Sequence, residues 1–207
     1  NLITSNYICT MSQFYWKTSF IDHLTDARFF NVLENTWMEF CFDALEPRSI
    51  TIEKAKIIKD WLFEPQIVAS FGLHQSPEEI HFMMSECNIE YAAISLQHEL
   101  VQEEDFLEMA FLKIELSQLD SINTLPKPPF ALIISTNQSL SDSEIEKIKN
   151  LEKNSLVFLQ LPYNFDNIKS QFMQFDKIGI EIPTQPEESP GISAIEMYDQ
   201  FMEAIES

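Results

Sequence analysis

The chain has 207 residues, 45% of them hydrophobic, and carries thirteen basic against thirty-three acidic side chains for a formal charge of -20. That size supports one well-buried core, and it is short for a closed barrel of eight strand–helix units, for which ~200 residues is the lower end. So acidic a surface repels nucleic acid and anionic lipid, and no run approaches the ~20 apolar residues of a membrane span.

In chain order, apolar β-type runs alternate with amphipathic helical segments. The first run is Phe14–Ile21, followed by Trp37–Phe42, Ile67–Leu73 and Tyr91–Leu96. Phe111–Leu116, Phe130–Ser135, Leu156–Leu161 and Lys177–Ile182 complete a set of eight. Helix starts lie between them: Thr51 as an N-cap, Ser76-Pro77-Glu78-Glu79 as a capping box with proline at the first helical position, and Ser141 with Glu144 as a second box. Asn164 reads as a further N-cap and Ser193 with Glu196 as a third box, whereas Ser117–Leu125 is too short to read as a full helix. Eight such units predict a small, single-domain α/β protein, a (β/α)8 TIM barrel over residues 13–207, with residues 1–12 as an N-terminal extension. No basic-then-apolar leader is legible, and the expected location is cytoplasmic.

Only three glycines occur, Gly72, Gly179 and Gly191, where average usage would give about fourteen. Glycine-rich loops let backbone N–H groups close on a phosphate, so this chain is poorly supplied for that task. Cys9, Cys41 and Cys87 match no paired metal spacing and read as reduced thiols. His23, His74 and His98 follow predicted strands one, three and four, and with Asp43 and Glu181 they can be drawn together as a metal site. No local His/Glu spacing supports it, and neither a metal nor a cofactor is expected. Lys113 and Glu115, two apart on the fifth strand, share a face and read as a pair if that face is interior. Trp37, Phe40, Phe42, Trp61, Phe63, Met83 and Met84 read as core.

Five stretches, KTSFIDHLTDA, FCFDALEPRSITIEKA, HQSPEEI, SLVFLQLPYNFDNI and IEIPTQPEESPG, occur in an order and spacing that together resemble the phosphoribosylanthranilate isomerase family. KTSFIDHLTDA, from Lys17, lies over a first strand and loop that in the family reads K-I-C-G-I-T followed by an acidic residue and alanine. FCFDALEPRSITIEKA resembles G-F-V-F…S-P-R…E-x-A, and HQSPEEI resembles N-x-x-P-E-x-I. SLVFLQLPYNFDNI and IEIPTQPEESPG follow the segments around the seventh and eighth strands. The resemblance implies a (β/α)8 barrel and an aminoaldose-to-aminoketose rearrangement in tryptophan biosynthesis. A cysteine base and an aspartic acid move protons there, and glycine-rich loops hold the phosphate.

On this sequence the family's cysteine falls on Ser19, its following glycine on Phe20 and its aspartate on Ser135. Cys9 is the alternative base if Ile8-Cys9-Thr10 is taken as the first strand end. The phosphate-loop glycines become Asn137–Glu144, Gln160-Leu161-Pro162 and Pro183-Thr184-Gln185. Lys17 and Arg48 match the family's lysine and its carboxylate-contacting arginine, and Glu181 replaces an aspartate, so these three are the candidate substrate-binding residues. Arg48 equally suits a surface pairing with Glu46 or Glu53. Three readings stay open: a catalytically degenerate barrel that binds a small molecule or a protein partner, an active isomerase, or a different enzyme on the same scaffold.

Overall fold

The computed structural model describes residues 15–160, 165–175, 177–186 and 195–206. Eight parallel strands close into a barrel in the order β1 to β8, each paired with its sequence neighbours and β1 with β8. They are β1 Tyr15–Ser19, β2 Thr36–Cys41, β3 Gln66–Ser70, β4 Tyr91–Ser95, β5 Ala110–Glu115, β6 Ala131–Ser135, β7 Leu156–Gln160 and β8 Ile178–Pro183. Each lies within the predicted run or within two residues of it. The expected extension at residues 1–12 and the candidate base Cys9 lie outside the described residues.

The helices are α1 Leu24–Asn31, α2 Ile52–Asp60, α3 Pro77–Cys87, α4 Glu104–Leu107, α5 Asp142–Leu151, α6 Phe165–Phe172 and α7 Ile195–Glu206. The stretch too short to read as a helix, after β5, is a 3-10 helix, Leu116–Thr124, and a second one, Glu99–Gln102, precedes α4. Thr51 caps α2 by accepting from the Lys54 N–H at 3.2 Å. Ser76 and Glu79 form the predicted reciprocal box on α3, and Ser141 and Glu144 the one on α5. Each such cap is worth about 1 kcal/mol and sets where the chain leaves the strand end and turns back. Asn164 and Ser193 lie outside the described residues.

Strand alternation produces two cores. Outward residues such as Met38, Phe40, Ile94, Leu112, Ile134 and Ile180 join the helices in the outer layer. The inner layer at the strand N-termini is aromatic: Trp37, Phe111 and Phe158 are buried, with Tyr91 and Phe130 packed against them. The Trp37 and Tyr91 rings meet edge-on at 4.8 Å, and Phe111 lies 5.8 Å from Phe158. Gly179 on β8 makes room for this plug, because a Cβ there would fall 2.4 Å from the Phe158 ring. The barrel is therefore filled below and has a polar upper interior. Trp61 and Phe63, expected in the core, are 62% and 80% exposed. Trp61 is the residue that ends α2, so the helical period no longer carries it inward, and its ring is covered by the Arg28 guanidinium at 5.1 Å.

Candidate functional site in the barrel mouth

Functional groups of this architecture gather at the strand C-termini. Above the aromatic plug, inward positions of four strands supply two lysines and two glutamates. Lys17 on β1 donates to Glu39 Oε2 on β2 at 2.6 Å and to Glu181 Oε1 on β8 at 3.1 Å. Lys113 on β5 reaches across the barrel to Glu39 Oε1 at 2.9 Å. Lys17 and Glu39 are fully buried, Glu181 is nearly so, and the Lys113 side chain is 36% exposed. Burial alone pushes the Glu39 carboxyl up, but the charges of Lys113 and Lys17 and their hydrogen bonds outweigh it and hold it down at about 2. Burial likewise opposes the charge on Lys113, and the facing Glu39 and Glu181 carboxylates reverse the effect and raise its pKa.

The sequence pairing of Lys113 with Glu115 is therefore corrected: Lys113 is interior and meets Glu39, while Glu115 lies at the end of β5, exposed, with its backbone N–H donating to Gln118. Glu39 is the site residue the sequence reading passed over. It stands two residues from both Trp37 and Cys41 in a continuous apolar strand, and period-2 alternation alone places all three inside. Cys41 is buried beside Ser70, and burial pushes its thiol up, away from the reactive thiolate.

The positions aligned with catalytic groups hold hydroxyls. Ser19 ends β1, 2% exposed, and its Oγ is buried without a hydrogen-bond partner among the described residues. Ser135 ends β6 and donates to Gln160 Oε1 on β7 at 2.7 Å. Neither arrangement generates a base, since an alcohol needs an adjacent proton acceptor to act as one. His23, close to Ser19 in sequence, caps α1: its Nδ1 accepts from the Asp26 N–H and its Nε2 stands 3.2 Å from the Asp26 carboxylate.

Arg48 does not pair with Glu46 or Glu53. Its Nε and Nη2 face the two carboxylate oxygens of Asp22, Nη2 also donates to the Phe20 carbonyl at 2.7 Å, and Nη1 donates to the Thr184 carbonyl. The guanidinium thus ties the loops after β1, β2 and β8 together. Thr184 reinforces the seam by donating from Oγ1 to the Ser19 and Phe20 carbonyls. Phe20, standing where the resemblance places glycine, has φ 63°, a left-handed conformation that costs a side-chain-bearing residue ~1–2 kcal/mol.

In the loops that the resemblance aligns with a phosphate grip, six N–H groups of the described residues are used internally. After β8, Thr184 N–H donates to the Ser19 carbonyl at 3.0 Å and Gln185 N–H to the Tyr198 hydroxyl at 2.7 Å, while Pro183 and Pro186 have none to give. After β6, Thr136 N–H goes to the Gln160 carbonyl, Gln138 N–H to Thr136 Oγ1, Leu140 N–H to Gln171 Oε1 and Ser141 N–H to Glu144. Residues 161–164, in the loop after β7, lie outside the described residues.

The three histidines are not brought together. His74 is exposed, 3.7 Å from Asp43, and His98 is buried with Nε2 on the Gln75 carbonyl and Nδ1 accepting from the Leu100 N–H. Among the described residues no group of three or more His, Cys, Asp or Glu side chains is placed to hold a metal ion, and no helix is long and apolar enough to cross a membrane.

Neither a family model nor a curated protein sequence matches the chain. Solved structures do. Phosphoribosylanthranilate isomerase from Thermus thermophilus is 17% identical with a TM-score of 0.70, over 93% of this chain and 98% of that one. The enzyme of the same name from Thermotoga maritima is 16% identical with a TM-score of 0.68, over 93% and 98%. KGPDC from Streptococcus mutans also matches, at 12% identity and a TM-score of 0.57, over 92% and 98%. The sequence resemblance is thus matched in three dimensions: the chain has the (β/α)8 fold seen in the phosphoribosylanthranilate isomerases, and at this identity the likeness carries the fold alone.

Proposed function

We propose that this protein is a catalytically degenerate relative of phosphoribosylanthranilate isomerase, kept in the cytoplasm for binding a small molecule or a partner protein and not for the rearrangement. The observation that carries the reading is the internal use of the Thr136, Gln138, Leu140 and Ser141 N–H groups after β6 and of the Thr184 and Gln185 N–H groups after β8. A phosphate in this kind of barrel is gripped by free backbone donors, and a donor already bonded to a carbonyl, hydroxyl or carboxylate has no proton left for it. The proton chemistry points the same way. Isomerisation needs a base and an acid, and the aligned positions offer Ser19, with no partner to activate it, and Ser135, whose proton is engaged by Gln160.

The test is growth without tryptophan of a strain lacking the isomerase. The chain is expected to give no growth, because losing one such proton-transfer group costs ~10²–10⁴-fold and here both are absent. Growth would overturn the proposal, and loss of that growth in Cys9→Ala would then identify the base.

A further inference from the structure

We infer that the inner mouth of the barrel is a binding site for a small, uncharged, hydroxyl-rich compound, of which an unphosphorylated pentose is the simplest example. This rests on the proposed reading that the chain does not grip a phosphate, and it specifies what the same mouth accepts instead.

The floor of the mouth is the Lys17–Glu39–Lys113–Glu181 network, whose two cations and two anions cancel. Its hydrogen-bonding capacity does not cancel. Both Glu39 oxygens are engaged, but Glu181 uses only Oε1, and its Oε2 is buried without a partner among the described residues, in a residue 6% exposed. On the neighbouring strand Ser19 Oγ is equally buried and equally without a partner. Lys113 spends one N–H on Glu39, and with its side chain 36% exposed its remaining donors are open to the mouth. Ser95 lies beside Lys113 in the β4–β5 register, and Ser95, Ser135 and Gln160 are half-buried at the strand ends.

The site therefore offers an orphan acceptor, an orphan hydroxyl, spare ammonium donors and an uncharged polar rim. Buried polar groups are found paired, so an acceptor and a hydroxyl left over on the inward face of the strand ends are groups a ligand can complete. A polyol fits this set, since each hydroxyl donates and accepts at once: one donates to Glu181 Oε2, while a neighbour accepts from Lys113 or Ser19. Among the described residues a phosphate meets the Thr136, Gln138, Leu140, Ser141, Thr184 and Gln185 N–H groups already engaged, on a protein of charge -20. An added ammonium finds both carboxylates already neutralised by lysines.

The test is saturation-transfer NMR on the full chain with three probes: D-ribose, D-ribose 5-phosphate and glycine. D-Ribose is expected to receive saturation, and the phosphate and the zwitterion are expected to bind about tenfold more weakly or not at all, the scale of one hydrogen bond to a charged group. Glu181→Gln keeps the volume but changes the carboxylate to an amide, and is expected to weaken ribose binding about tenfold. Ser19→Ala reads the same site if that variant does not fold. Absence of ribose binding, or equal binding by wild type and both variants, overturns this inference and leaves the degenerate-enzyme reading to the growth test. Tighter binding of ribose 5-phosphate than of ribose overturns both.

Discussion

Replacing Glu39 by glutamine isolates the electrostatic centre of the barrel. The side chain is fully buried and its two oxygens hold Lys17 at 2.6 Å and Lys113 at 2.9 Å. The variant retains an acceptor but removes the charge, leaving Lys17 to Glu181 and Lys113 without its hydrogen-bonded carboxylate. Removing one partner from a buried ion pair costs ~3–5 kcal/mol, and water reaching the partly exposed Lys113 places this case at the lower end. The proton affinity gives a compatible figure: lowering the carboxyl from 4.5 to about 2, at ~1.4 kcal/mol per tenfold change, corresponds to about 3 kcal/mol. The sign follows from the direction of the change. A carboxyl held down in the folded state stabilises fully above its ordinary value of 4.5, and the contribution fades as the pH falls towards about 2. Urea unfolding of both proteins at pH 7 should therefore show a deficit of about 3 kcal/mol in the variant, narrowing steadily below pH 4.5. A deficit under ~1 kcal/mol at neutral pH, or one that does not shrink in acid, would refute the argument that the paired lysines hold this carboxylate.

Arg48→Lys should loosen the mouth, because a single ammonium cannot face both Asp22 oxygens and the Phe20 and Thr184 carbonyls together; a loss of ~2–3 kcal/mol and faster amide exchange at Ile21 and Thr184 are expected, and unchanged exchange would deny the seam. Position 20 supplies a backbone test. Phe20→Gly should be more stable than Phe20→Ala by about 1 kcal/mol in thermal unfolding, since both lose the ring and only alanine keeps the strain of φ 63°; equal stabilities would count against a strained backbone.

The barrel was legible because its strands are written as unbroken apolar runs buried on both faces, and because caps such as Thr51, Ser76 and Ser141 mark where each helix departs. Errors arose where local periodicity stopped being the governing constraint. Trp61 and Phe63 follow the last turn of α2, where the chain is no longer helical and neither ring is carried inward. Lys113 and Glu115 were read as sharing a face, paired if that face is interior; the face is interior, but the partner of Lys113 is chosen across the barrel by closure of the sheet. Glu115, its nearest acidic neighbour in sequence, sits one inward step beyond, in solvent. A through-space partner 74 residues away leaves no trace in local spacing.

The residue types at the strand ends were legible in the sequence, and what those residues bond to was not. The family resemblance is what aligned Ser19 and Ser135 with proton-transfer positions and glycine-poor loops with a phosphate grip. It did not show that the bonding capacity there is taken up by the chain itself. Arg48 is the clearest instance. The resemblance assigns it to a ligand's carboxylate, and in this fold the Asp22 carboxylate faces its Nε and Nη2. A carboxylate tethered on the adjoining loop is always present at high effective concentration, so a free ligand must displace it while leaving Asp22 a charge to hydrate. The same logic applies to the Thr184 and Gln185 N–H groups, each closed on an internal acceptor. Restoring a cysteine at Ser19 and an aspartate at Ser135 would supply proton chemistry to a mouth whose grips on substrate remain occupied. Under the proposed loss of isomerase activity, the obstacle lies at least as much in these satisfied donors as in the hydroxyls at positions 19 and 135.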